Sequence, residues 1–215
     1  MAGKLANAIA FLALGIAILS LFKSCEANKL SYEANIISRT TELPYFKFSI
    51  RYTDKDDEIV IHNEGGKLRE LEEPIVYLFW DITSDKALMD KKSIAVINYY
   101  NLGSRDPLLS GDVIATKSTD KLSDAITLID EFKKIGIDNG LMLFFSVRKY
   151  IRLRYKDIYE ELHDDVYEIS PAATKKMSKN QGMALIEEYN NYNDKGSYID
   201  MHNATAKSLY KKLAF

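Results

Sequence analysis

Between Arg148 and Lys156 the chain reads RKYIRLRYK, which places Arg148, Arg152, Arg154 and Lys156 at even spacing. Side chains alternate across a strand, so these cations share one face and Ile151, Leu153 and Tyr155 take the other. A cationic strand face is suited to anions, either lipid headgroups beside a bilayer or a small anionic ligand such as a nucleotide. The segment that follows carries Asp157, Glu160, Glu161, Asp164, Asp165 and Glu168. Folded back as a hairpin partner, it neutralises the basic face, and this pairing is the preferred expectation.

Other reactive residue types form no recognisable constellation. His62, His163 and His202 are far apart and none has a partner at zinc-site spacing, so no metal site is expected. The tetrad Asp54-Lys55-Asp56-Asp57 lacks the calcium-loop pattern and reads as a solvated hairpin turn. A phosphate-binding glycine loop, a GxSxG elbow and an HExxH helix are all missing. Asn203-Ala204-Thr205 matches a glycosylation acceptor, which matters only in a eukaryotic secretory pathway. No catalytic residue and no cofactor are assigned, and the protein is expected to be non-enzymatic.

The elements that must position these residues divide into regions. The 215 residues suffice for one ordinary domain and an appendage, and a net charge of -2 gives no reason to expect a nucleic acid polymer as partner. A single cysteine, Cys25, excludes an intrachain disulfide and fits a reducing compartment. Leu5 to Phe22 contains no charge, is bracketed by Lys4 and Lys23, and as a helix spans roughly 27 Å, close to the bilayer core. A cleaved signal peptide fits less well because its apolar region is usually only about 7–15 residues long and Cys25-Glu26-Ala27 is a poor cleavage site, and lipidation of Cys25 because a lysine precedes it in Phe22-Lys23-Ser24. Residues 1–23 are therefore expected to be a retained transmembrane anchor. Lys23, Lys29 and Arg39 follow it, against Lys4 and the α-amino group before it, which leans toward a cytoplasmic C-terminal domain at the inner or plasma membrane.

Residues 24–43 read as a helical juxtamembrane stalk. Glu26-Ala27-Asn28 recurs as Glu33-Ala34-Asn35, and Ala27, Leu30, Ala34 and Ile37 follow one another at spacings of three, four and three. This is a coiled-coil seam of alternating small and large residues, and a Glu26–Lys29 ion pair is available to support it. The seam either packs on the following domain or joins copies of the chain, and homo-oligomerisation is the sharper expectation. Pro44 ends the helix.

After Pro44 the hydrophobic period changes to two. Phe46, Phe48, Ile50 and Tyr52 mark a first strand, residues 58–62 a second, the apolar run 75–80 a strand buried on both faces, and 94–100 a fourth. Residues 103–111 read as a polar loop. Leu122, Ala125, Ile126, Ile129 and Phe132 lie on one face of an inserted helix over 119–135, capped by Ser118 or Thr119 and ended by Gly136. Strand character returns at 141–147, 150–155 and 166–169. The fold class is thus mainly β with helices (α+β), a β-sandwich of immunoglobulin-like size over 44–170 with the helix inserted. A helical tail over 171–215 follows, with Met183, Leu185, Ile186 and Tyr189 on one face and Ala206, Leu209, Tyr210 and Leu213 on another.

EANKLSYEANIIS, IVIHNEGG and IRLRYKDIYEELHDDVYEI carry a resemblance to a group of uncharacterised single-pass membrane proteins of bacteria and phages. In that group a short N-terminal helix runs into heptads of the EAN type, and a β-sandwich-like domain begins after a proline. The resemblance implies a membrane-anchored sandwich and no particular activity. Together these readings describe a membrane-tethered binding or assembly module that self-associates through its N-terminal helix. Its partners are the lipid bilayer, further copies of itself, and a protein or small anionic ligand at the soluble domain. The alternative is a membrane effector or ligand sensor of a bacterial defence system, in which the soluble domain rearranges the membrane helices.

Overall fold

The structure, a computed structural model, describes residues 20–36, 38, 42–53, 56–105, 113–171 and 173–213. The chain divides into two compact units, Met1–Leu43 and Pro44–Phe215. In the first, residues 20–36 form helix α1, and every one of them is exposed. Lys29 pairs with Glu33 at 3.9 Å and Glu26 with Lys23 at 3.1 Å, in place of the expected Glu26–Lys29 pair. Each glutamate lies within one helical turn of the lysine it meets, so the seven-residue echo supplies two pairs. Among the described residues no helix is long and apolar enough to cross a membrane. The expected span over 1–23 lies almost wholly outside those residues.

In the second unit a hairpin of β1 (Phe46–Tyr52) and β2 (Asp57–Asn63) is followed by β3 (Leu68–Leu71) and β4 (Ile75–Ser84). Next come β5 (Ala87–Ile97), β6 (Leu102–Arg105) and β7 (Val113–Thr119). Helix α2 (Leu122–Asp138) leads into β8 (Leu143–Asp157) and β9 (Leu162–Ile169). The last elements are β10 (Thr174–Lys176), α3 (Lys179–Asp194), β11 (Tyr198–Asp200) and α4 (Ala206–Leu213). A four-stranded sheet has the order β1-β2-β7-β6. A seven-stranded sheet runs β10-β9-β8-β4-β5-β11, with β3 also paired to β8.

The unit is α+β with two sheets, and its layers differ from a plain sandwich. On β8, Ile151, Leu153 and Tyr155 pack against Ile59, Ile61 and Ile114 of the small sheet. On the same face, Leu78, Trp80 and Ile82 of β4 meet α2 and α4 instead, through Ala125, Leu128, Phe132, Leu209 and Leu213. The opposite face buries Tyr77, Phe79 and Tyr150 beneath Leu185 of α3. Strand β4 is therefore covered on both sides, which its unbroken apolar run requires: Tyr77 to Ile82 are all buried.

Several local expectations change. The runs 141–147 and 150–155 are one strand of 15 residues, because Arg148 and Lys149 find carboxylates on opposite faces rather than turning into solvent. Strands β3, β6, β7, β10 and β11 escape the period-two reading, being short or built from polar residues such as Lys117 and Thr119. The tail over 171–215 is not purely helical. Strand β10 extends the sheet beside β9, and β11 adds a parallel edge to β5.

Helix α2 buries Ala125, Leu128, Phe132 and Gly136, while Ile126 faces outward at 52% exposure. Its N-cap is Lys121, with no side-chain cap, and it continues past Gly136 to Asp138. Gly136 serves close packing instead: a Cβ there would lie 2.6 Å from Cδ1 of Leu143. The left-handed residue after the helix is Gly140, at φ +70°. On α3, Met183 is exposed at 61%, and Gly182 takes its expected place in the buried seam, against Val166. Helix α3 begins with a capping box between Ser178 and Gln181.

Candidate functional site

Strand alternation gathers the basic residues on one face of β8, and each meets carboxylate. Arg148 grips Asp81 through Nε at 2.7 Å and Nη2 at 3.0 Å, lies 4.9 Å from the centre of the Phe79 ring, and has Glu188 at 3.8 Å. Arg152 forms a second fork on Asp164, at 2.7 and 2.6 Å. Arg154 donates to Glu72 at 2.9 Å and Lys156 to Glu70 at 2.6 Å. Of the acids that follow the strand, Asp164 meets this face, whereas Glu70 and Asp81 come from earlier strands and Glu72 from the link between β3 and β4. Asp165 turns instead to Lys176 and Tyr155. Arg152 holds the Asp164 carboxyl below the usual range. Burial opposes the charge of Asp81, yet hydrogen bonds from Arg148, Lys91 and Ser93 outweigh it and hold that carboxyl low as well.

The self-association residues Ala27, Leu30 and Ala34 are all exposed on α1, Leu30 at 61%, and Ile37 lies outside the described residues. Cys25 is exposed on the same helix. His62 approaches the Ser49 hydroxyl at 3.3 Å, and His202 lies 3.5 Å from Asp200. His163 stacks on Tyr155 and meets Asp157 Oδ2 at 2.9 Å. Asp157, Glu161 and His163 bring potential ligand atoms within 4.8 Å of one another, a grouping that motif spacing does not register. Its geometry is that of a hairpin turn: Asp157 Oδ1 accepts from the backbone N–H groups of Tyr159 and Glu161, around Glu160 at φ +64°.

The most unusual chemistry lies elsewhere. Asp57 is not part of a solvated turn, for it opens β2 and is 2% exposed. Lys149, from the middle of β8, donates to its Oδ2, and the Lys149 and Asp57 side chains are 9% and 3% exposed. Tyr100 donates to the same Oδ2 at 2.8 Å and Tyr99 at 3.3 Å. These tyrosines do not end a strand as expected. Strand β5 stops at Ile97, and Asn98 at φ +58° turns the chain so that both hydroxyls reach one carboxylate. Burial, and then the charge of Asp57, raises the pKa of both phenols, so both remain hydroxyl donors. Lys149 also lies 3.4 Å from the Tyr52 hydroxyl and over the Tyr52 and Tyr100 rings, at 5.1 and 5.5 Å.

Asp57 Oδ2 thus accepts from Lys149, Tyr99 and Tyr100, while no donor among the described residues reaches the buried Oδ1. Asp57 and Lys149 line a cavity of 170 Å³ together with Trp80, Tyr99, Val147 and one face of α2. Sequence inspection misses this site because Asp57 and Lys149 are 92 residues apart and each reads locally as surface. The one legible signal is the break in alternation at Arg148-Lys149, where consecutive cations interrupt an otherwise apolar strand. No protein-family model matches the chain, and comparison with curated proteins gives no match.

Proposed function

We propose that this chain is a membrane-tethered, non-enzymatic binding and assembly module that self-associates through its N-terminal helix. The observation that carries the reading is the exposed Ala27/Leu30/Ala34 stripe on α1, which follows the uncharged run Leu5–Phe22 in the sequence. Small and large residues alternating at heptad spacing suit a second copy of the same helix, and the apolar run supplies further contact area within a bilayer. On the soluble unit, the basic face of β8 is neutralised by ion pairs, which favours a structural role for those charges over catalysis.

The deciding experiment is a mass measurement of the detergent-solubilised chain with and without residues 1–40. An oligomer that becomes a monomer on truncation supports the proposal, and a monomer in both cases overturns it. Leu30→Glu with Ala34→Glu is expected to dissociate the full-length oligomer without lowering the melting temperature of the soluble unit. The soluble unit is proposed to face the cytoplasm. Labelling of a cysteine added at the C-terminus, in intact cells with Cys25→Ser, tests this, and ready labelling by an impermeant reagent contradicts it.

A second reading, a ligand sensor or effector of a bacterial defence system, is favoured by the mostly apolar cavity that Asp57 and Lys149 help to line. In that reading, occupancy of the soluble unit changes the association of the membrane helices. A ligand-triggered change in oligomer size or membrane leakage is its signature.

A further inference from the structure

We infer that the free edge of β8 between Leu143 and Val147 is a dimerisation site, and that its occupant is the same segment of a second copy, paired antiparallel about a two-fold axis at Phe145. The interface lies on the soluble unit, so the inference goes beyond the association of the N-terminal helices and does not rest on it.

Strand β8 is longer than the strands beside it. Its pairing with β4 begins at Leu143, whereas its pairing with β9 begins only at Lys149. Among the described residues, 143–147 therefore have a strand on one side alone. Hydrogen bonds at both ends of β8 fix which backbone groups point outward. The Met142 carbonyl accepts from the Asp85 amide and the Arg154 carbonyl from the Glu72 amide, so even-numbered residues face the β4 side. The Asp157 amide donates to the Glu161 carbonyl on the other side, so odd-numbered residues face away from β4. The N–H and C=O groups of Leu143, Phe145 and Val147 thus project from the free edge, where no backbone partner among the described residues meets them.

An unpaired edge is a template for another strand, and proteins commonly guard such edges with charge. Lys47 and Arg51 stand on β1, Lys175 and Lys176 on β10 and Asp200 on β11, all outer strands of their sheets. The stretch Leu141–Val147 carries no charge, and Met142, Phe144 and Val147 are 59%, 48% and 48% exposed. Its own sequence suits a second copy. About a two-fold axis at Phe145, Leu143 of one copy faces Val147 of the other, Phe144 faces Ser146 and Met142 faces Arg148, so no like charges meet. In this register the outward backbone groups fall in the closely hydrogen-bonded pairs, and each finds a partner. The same arrangement of β1 about Ser49 would set Lys47 against Arg51. A ladder this short is small beside a standard interface of about 1,600 Å², so the association is reversible and strengthens with concentration.

The test is disulfide trapping of the full chain in detergent, with Cys25→Ser, Phe144→Cys and Ser146→Cys. Leu30→Glu and Ala34→Glu are included so that trapping does not depend on the stalk. Facing positions of the non-hydrogen-bonded kind bring Cα atoms within about 4.5 Å, close enough for an S–S bond. Mild oxidation is expected to give a covalent dimer whose yield rises with protein concentration, and either cysteine alone to give much less. Val147→Pro removes an outward N–H that the single copy leaves unbonded, a change that edge strands tolerate. It is expected to lower the dimer affinity at least about tenfold, with the melting temperature kept. Val147→Lys, which guards the edge with charge, replaces it if the proline variant unfolds. No concentration-dependent trapping from the folded chain overturns the inference, as does trapping that is unchanged by the substitution at Val147. Absence of trapping beside an oligomeric parent chain leaves the N-terminal association standing. Trapping beside a parent chain that is monomeric in dilute solution keeps this edge and counts against the N-terminal association alone.

Discussion

Replacing Lys149 by methionine tests whether the Asp57–Lys149 pair is a buried ion pair in the energetic sense. Methionine preserves most of the side chain's length and apolar contact and removes the ammonium. Asp57, 2% exposed, is then left with only the Tyr99 and Tyr100 hydroxyls as donors to Oδ2. Stranding one member of a buried pair costs about 3–5 kcal/mol. The reciprocal change, Asp57→Asn, strands the Lys149 ammonium instead. That group retains the Tyr52 hydroxyl and the faces of Tyr52 and Tyr100, whose rings give back about 0.5–2 kcal/mol, so the loss is smaller. The double variant buries no net charge and is expected within about 1 kcal/mol of the parent, because a neutral replacement of similar volume removes the desolvation cost together with the attraction. The four proteins form a cycle with a coupling of roughly 3 kcal/mol or more. Urea unfolding of the full chain in detergent, followed by Trp80 emission, measures it. With a slope of about 1–3 kcal/mol per molar urea, a loss of about 4 kcal/mol moves the midpoint by more than about 1 M. A cost below about 1 kcal/mol for Lys149→Met would refute the reasoning, since it would mean that water reaches the carboxylate when the ammonium is gone.

Two further perturbations address the framework. Gly136→Ala is expected to destabilise by about 1–3 kcal/mol despite the better helix propensity of alanine, because the new methyl would lie 2.6 Å from Leu143 Cδ1; a thermal melt reads the sign, and Leu143→Ala in the same chain relieves the clash. Asp81 binds a proton less readily folded than unfolded, so the stability its ion pair contributes is present above its unfolded value of 3.8 and is lost as pH falls through the lower folded value. Arg148→Gln removes a principal donor to Asp81 and is expected to flatten that acid limb, with a stability difference that is largest near neutrality and shrinks below pH of about 4. Urea midpoints measured across pH test this, and a difference that stays constant down to low pH would contradict it.

Alternation in Phe46 to Tyr52 and the unbroken apolar run at 75–80 announce β1 and β4, because burial on one face or both leaves a direct mark on composition. The amphipathic pattern at Ala206, Leu209 and Leu213 likewise announces α4, and all three side chains are buried. Short strands leave no such mark. Tyr198–Asp200 holds a place at the edge of β5 by parallel backbone pairing, and three residues cannot display a period. Ile126 and Leu128 show the limit for helices: both lie near the apolar stripe of α2, and only the position of the sheet determines that Leu128 is buried and Ile126 exposed.

Local order along the chain is enough to specify the uncharged run at 5–22, the doubled EAN heptad, the change of period after Pro44 and the common face of Arg148, Arg152, Arg154 and Lys156. Each depends only on residue type and the geometry of a helix or strand. The fate of a charge depends on what folds around it. Asp57 in a polar tetrad and Lys149 in a basic strand both read as solvated, and only the crossing of β2, the Tyr99–Tyr100 bend and β8 withdraws them from water together. Desolvation belongs to the assembled surroundings rather than to the residue, and so the buried pair, its unserved oxygen and the cavity they line are decided by the tertiary structure alone.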